Sequence, residues 1–145
     1  MTIGIIHLKR VRWLLFTAYC LLIVWYTIIS RNSGTPKADL RLLWSYREML
    51  TGDPNWKKDV HQNLQNIAFF IPFGALLPAK NWKTVLITAV MFSTVIEVIQ
   101  YIGGFGLAEL DDVICNTLGA MIGFWIVMGL KKVISKLTGE GMRCE

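Results

Sequence analysis

The sequence predicts an all-α, polytopic membrane protein with four transmembrane helices and both termini in the cytoplasm. Three observations predict it. Of 145 residues, 54% are hydrophobic and only 17% charged, against roughly 45–50% and 25% in soluble domains. The apolar residues gather in runs of near-membrane length, and the excess of basic over acidic residues falls on the connections of one side. A mean hydropathy of +0.47 with 12% aromatics excludes intrinsic disorder, which needs a polar, aromatic-poor chain. The length, at about 100–200 residues per domain, fits one unit spanning 1–145.

The first span is Trp13 to Ser30, eighteen residues without a formal charge, preceded by Lys9, Arg10 and Arg12. That length crosses a bilayer core. A secretory signal would have a shorter apolar region and a small-residue cleavage site, so the run reads as a retained anchor with its N-terminus inside. The outer segment that follows holds an amphipathic stretch, LRLLWSYREML over 40–50. Its spacing predicts a short helix, either lying along the interface on Trp44 and Tyr46 or packed over the bundle. The second span, Asn63 to Ala79, contains Pro72 and Gly74, tolerated in membrane helices because neighbours re-satisfy the freed backbone groups; a kinked crossing and a re-entrant segment both fit. The third, Thr84 to Gly104, is interrupted by one acid, Glu97. The fourth, Val113 to Leu130, is closed by Lys131 and Lys132.

The net charge of +5 would suggest nucleic acid in a soluble chain. Here it is a topology signal, and membrane lipid rather than nucleic acid is the implied partner. With the N-terminus inside, the cytoplasmic pieces hold nine bases, among them Lys80, Lys83, Lys136 and Arg143, against the two acids Glu140 and Glu145. The outer pieces hold six bases, beginning with Arg31, against eight acids that include Asp53.

Following each span in this orientation sends the polar residues to one end. Asn63 and Asn66 open the second span, Glu97 and Gln100 close the third, and Asp111, Asp112 and Asn116 open the fourth, just after Glu109. Residues three or four apart share a helix face, so Ser93, Glu97 and Gln100 make one stripe, Asp112, Asn116, Gly119 and Gly123 another, and Asn63, Asn66 and Phe70 a third. A carboxylate within a span costs roughly 2.5–3.5 kcal/mol near the helix centre, whereas interhelical hydrogen bonds return only about 0.6 kcal/mol on average. Function therefore outweighs a merely structural network for Glu97. Asp111 and Asp112 also suit a helix N-terminus as caps.

These side chains are hard oxygen donors, suited to a divalent cation such as magnesium or calcium, with Glu97 and Asp112 as its ligands if one binds. No cofactor follows from the sequence. Cys20, Cys115 and Cys144 form no CxxC motif and read as inert, and His7 and His61 stand without ligand partners. No phosphate loop, nucleophile elbow or zinc-protease motif is present, so catalytic residues stay unassigned and a binding role is favoured over an enzyme.

Assembled in order, these motifs resemble the VanZ family. The carriers are Asn63-Leu-Gln-Asn66-Ile-Ala-Phe69-Phe-Ile-Pro72-Phe73-Gly74, then Glu97-Val-Ile-Gln100, then Glu109-Leu-Asp111-Asp112-Val-Ile-Cys-Asn116-Thr-Leu-Gly119-Ala-Met-Ile-Gly123. Glu109 stands where the family has an aspartate. Where many members carry an arginine a few residues earlier, this chain has Gly106 and apolar neighbours. The resemblance implies a small multi-pass protein of the bacterial cell membrane associated with low-level resistance to teicoplanin.

Together these readings predict an acidic, amide-lined site of Glu97, Asp112, Asn66, Gln100, Asn116, Glu109, Asp111 and Asn63 at the outer face. Its ligand would be an amphipathic envelope molecule, either the lipoglycopeptide itself or a lipid-linked wall precursor. Two alternatives stand beside it: a metal-assisted enzyme acting on a lipid-linked cell-wall or headgroup substrate, and a structural or partner-binding protein whose Gly119-x-x-x-Gly123 makes an interface.

Overall fold

The computed structural model describes residues 2–29, 34–52, 54 and 56–138, with backbone only for 2–6, 8 and 45. Ser30, Arg31, Asp53, Glu140, Arg143, Cys144 and Glu145, used above, lie outside the described residues. Helix α1 (Thr2–Val24) continues as a π-helical turn, Trp25–Ile29, and strand β1 (Lys37–Asp39) and helix α2 (Trp44–Thr51) follow. Helices α3 (Trp56–Leu76) and α4 (Trp82–Gly103), strand β2 (Leu107–Glu109) and helix α5 (Leu110–Leu137) complete the chain.

Each apolar run forms a helix, with ends set by local chemistry. Asn81 caps α4, its Oδ1 accepting from Thr84 N at 2.9 Å, and Gly104 ends α4 with a left-handed φ of 64°. Among the described residues three helical stretches are long and apolar enough to cross a membrane: Lys9–Ile29, Trp82–Gly103 and Leu110–Leu137. Helix α3 is not among them, because its first turns carry Lys57, Lys58, Asp59, Asn63 and Asn66. It is nevertheless one continuous helix through Pro72.

Helices α3 and α5 make the largest contact, with α1 against α3 and α4 against α5. The small residues explain how close α3 and α5 come. A Cβ on Gly119 would sit 2.2 Å from Ile67 O, one on Gly123 1.9 Å from Ile71 O, and one on Gly74 1.8 Å from Ala120 O. The GxxxG pair expected to meet a partner is therefore used within the chain, against α3. Above and below this contact Phe70, Phe73, Ala89, Ala120 and Phe124 are buried, and Phe73 stacks on Phe92 with ring centres 5.1 Å apart. The outward faces are apolar too, Leu14 being 70% and Leu21 65% exposed, as lipid-facing residues are.

Arg12 does more than mark topology. Its guanidinium donates to Leu76 O at 3.0 Å, Ala75 O at 3.2 Å and Leu77 O at 2.8 Å. These are carbonyls left without helical partners at the C-terminus of α3, where a cation is favoured. The same end of the bundle carries Lys80 before α4, Lys83 in its first turn, and Lys131 and Lys132 late in α5.

Two features depart from the all-α expectation. Strands β1 and β2 pair in parallel, Lys37 with Leu107 and Asp39 with Glu109, because the chain at Gly34 donates to Gly104 O at 2.8 Å and a side chain on Gly104 would strike Gly34 O. The amphipathic stretch becomes helical only from Trp44, since Leu43 takes the left-handed conformation at φ 54°. Tyr46 and Trp44 are half-buried, and the Tyr46 hydroxyl hydrogen-bonds with Asn63 and Cys115, so α2 packs on the bundle.

Candidate functional site

Five of the eight residues singled out from sequence meet around one cavity. Asn66 comes from α3, Glu97 and Gln100 from α4, and Asp112 and Asn116 from α5, with Tyr26 and Thr27 of the π-helical turn completing the wall. The space between them is about 30 Å³, room for a water molecule or a small polar group. The helical stripes place them there. Ser93, Glu97 and Gln100 are all buried on one face of α4, and Asn116 Nδ2 donates to Ser93 Oγ at 2.7 Å, tying that stripe to α5. Gln100 Nε2 donates to Thr27 O at 3.0 Å, and Glu97 Oε2 accepts from Glu109 N at 2.9 Å.

The bonds made are as informative as those left over. Asn66 Nδ2, Gln100 Oε1 and Asn116 Oδ1 are buried and have no protein partner among the described residues, although Gln100 is only 3% and Asn116 5% exposed. A buried polar atom without a partner costs about 1–3 kcal/mol. A self-contained structural network would pair them with one another. Here one donor and two acceptors line the same small space, ready for solvent or the polar group of a ligand.

The other three residues do different work. Asp111, fully buried, accepts from Leu43 N at 2.6 Å, fixing the turn before α2. Asn63 is buried beneath the same helix, beside Tyr46. Neither lines the cavity. Glu109 ends β2 and is 7% exposed; burial first, then the nearby Asp112, Asp59, Asp111 and Asp39, pushes its carboxyl up to about 7. The adjacent pair Asp111-Asp112 thus points to two sides of α5, one a docking contact and one a cavity wall.

Sequence reasoning missed Tyr26, Thr27 and Leu43. The first two lie at the end of an apolar run; Thr27 O meets Gln100 Nε2 and Tyr26 joins the cavity wall because the π-helical turn re-aims the backbone, a device common at functional sites. Among the described residues no group of three or more His, Cys, Asp or Glu side chains is arranged to hold a metal ion. Glu97 and Asp112 are the carboxylates that share the cavity.

Comparison with known proteins agrees with the motif order. The family model described as VanZ/LLP1 matches residues 16–133, which include every cavity residue. "Protein VanZ" of Enterococcus faecium is 35% identical over 65 residues, covering 41% of this chain and 40% of that protein; the chain thus matches less than half the length of that relative. No solved structure matches. With the family match and three helices apolar enough to cross a bilayer, this is a membrane protein, and the chain belongs to the VanZ/LLP1 family.

Proposed function

We propose that the chain is a four-span protein of the bacterial cell membrane, both termini cytoplasmic, that confers low-level resistance to teicoplanin-type lipoglycopeptides. It does so through the cavity of Asn66, Glu97, Gln100, Asp112 and Asn116, open to the outer side, which binds or modifies an amphipathic envelope molecule. The observation that carries the reading is the convergence of these residues on one small space with three amide atoms unmatched by the protein. The positive-inside bias orients it: the end of the bundle with Arg12, Lys80, Lys83 and Lys131 faces the cytoplasm, and the carboxylate end faces out. In this topology α3, though more polar than the other three, crosses packed against α1 and α5.

Glu97→Gln tests the site. The amide keeps an oxygen to accept from Glu109 N and removes only the charge, so the fold is retained. In a susceptible host, teicoplanin tolerance is expected to fall to the vector-only level while the variant reaches the membrane at wild-type amount. Unchanged tolerance would refute the site.

A further inference from the structure

A second concavity lies on the lipid-facing side of the same helices. It is a trough of about 540 Å³, within the range of small-molecule sites. Val90 and Val98 of α4 and Leu110 and Val113 of α5 form its floor, and Leu40 beside β1 overhangs it. Two acids stand in this largely apolar wall, beside Thr94 and Tyr101: Glu97, which the trough shares with the polar cavity, and Glu109. Glu109 is more than nine-tenths buried. Its backbone amide is spent on Glu97, its carboxyl has no hydrogen bond among the described residues, and the groups acting on it are four further acids.

Hydrocarbon alone fills the floor of such a trough and leaves the Glu109 carboxyl unanswered. An anionic amphiphile is repelled by that carboxyl and the acids around it. Only a molecule that is apolar along its length and cationic at one end matches both parts: the carboxyl releases its proton to solvent and the ammonium group takes its place through a charge-assisted hydrogen bond. We propose that this trough binds a long-chain alkylamine, its hydrocarbon chain along Val90, Val98, Leu110 and Val113 and its ammonium group against the Glu109 carboxylate, next to Glu97. The proposal rests on the outward-facing site above and names the class of amphiphile that site receives. Occupancy would press directly on Glu97, the wall between trough and cavity, so chain binding and the cavity chemistry share one residue.

The test uses the full chain in nanodiscs of phosphatidylcholine, which carries no net charge. Two photoreactive probes are compared, a long-chain alkylamine bearing a diazirine on the chain and the alcohol of the same chain. The amine is expected to label peptides containing Val98 and Val113 saturably. Glu109→Gln should cut that labelling about tenfold, the order expected for loss of a desolvated charge pair, and should leave labelling by the alcohol unchanged. Leu40→Trp, at an exposed position that does not enter the core, should reduce labelling by both. Equal labelling by amine and alcohol, or amine labelling indifferent to Glu109→Gln, would overturn the proposal. Teicoplanin tolerance of Glu97→Gln reads separately: if it is lost while the probes fail, the site stands and the ligand class is wrong; if it is kept, the site itself fails.

Discussion

Gly123→Leu is expected to eliminate folded protein from the membrane, and Gly123→Ala to lower stability by about 3 kcal/mol, the upper range for forcing extra atoms into a packed core. The reason is backbone meeting backbone. A Cβ at 123 would lie 1.9 Å from Ile71 O and 2.9 Å from Ala75 N, and main-chain atoms of a helix cannot swing aside as a side-chain tip can. The neighbouring contacts of Gly119 with Ile67 O and Gly74 with Ala120 O lock the same pair of helices, so α3 and α5 would have to separate. That movement takes Asn66 away from Asp112 and Asn116 and dismantles the cavity. Gly129, six residues on toward the lysine-rich end of α5, has nothing within 4 Å of such a Cβ, and Gly129→Ala is the control expected to behave as wild type. Thermal melting and size-exclusion profiles in detergent separate these outcomes. The contrast also bears on the partner-binding alternative: glycines already occupied by α3 are not available to a second protein.

The adjacent acids at the start of α5 should part company on mutation. Asp112→Asn is expected to fold and melt like wild type and to lose teicoplanin tolerance, because its side chain borders the cavity with Glu97 and Asn116 and the amide preserves its shape. Asp111→Ala is expected to do the reverse in kind. Its carboxylate holds Leu43 N at 2.6 Å, and that amide precedes the left-handed turn that starts α2. Removing it strands a part-buried donor, at a cost of about 1–3 kcal/mol, and frees the outer segment over Asn63. The melting temperature should fall and proteolysis between residues 40 and 52 should accelerate, while tolerance drops only as far as the amount of folded protein drops.

Much of this is legible in the sequence. Helical spacing alone put Ser93, Glu97 and Gln100 on one face, and orientation of the spans sent Asn66 and Asn116 to the same end, because period and direction are properties of the chain itself. What stayed hidden depends on contacts distant in sequence. Arg12 reads as a topology charge until the carbonyls of Ala75, Leu76 and Leu77 arrive beside it. Asn63 and Asn66, three residues apart, look like one stripe, yet Tyr46 claims the first and the cavity the second. The short parallel pairing of β1 and β2 has no strand-like alternation over three residues and is imposed by the meeting of Gly34 with Gly104. The π-helical turn at Trp25–Ile29, which brings Thr27 O to Gln100, has no composition signature.

The central claim is that the carboxylate and amide end of the bundle faces outward, and sidedness labelling tests it most directly. In a background with the native cysteines replaced, Thr35→Cys reports the acid end, since it adjoins Gly34 at its contact with Gly104, and Lys132→Cys reports the basic end. A membrane-impermeant maleimide applied to intact cells is expected to label Thr35→Cys fully and Lys132→Cys only after permeabilisation. Labelling of Lys132→Cys in intact cells, with Thr35→Cys protected, would contradict it.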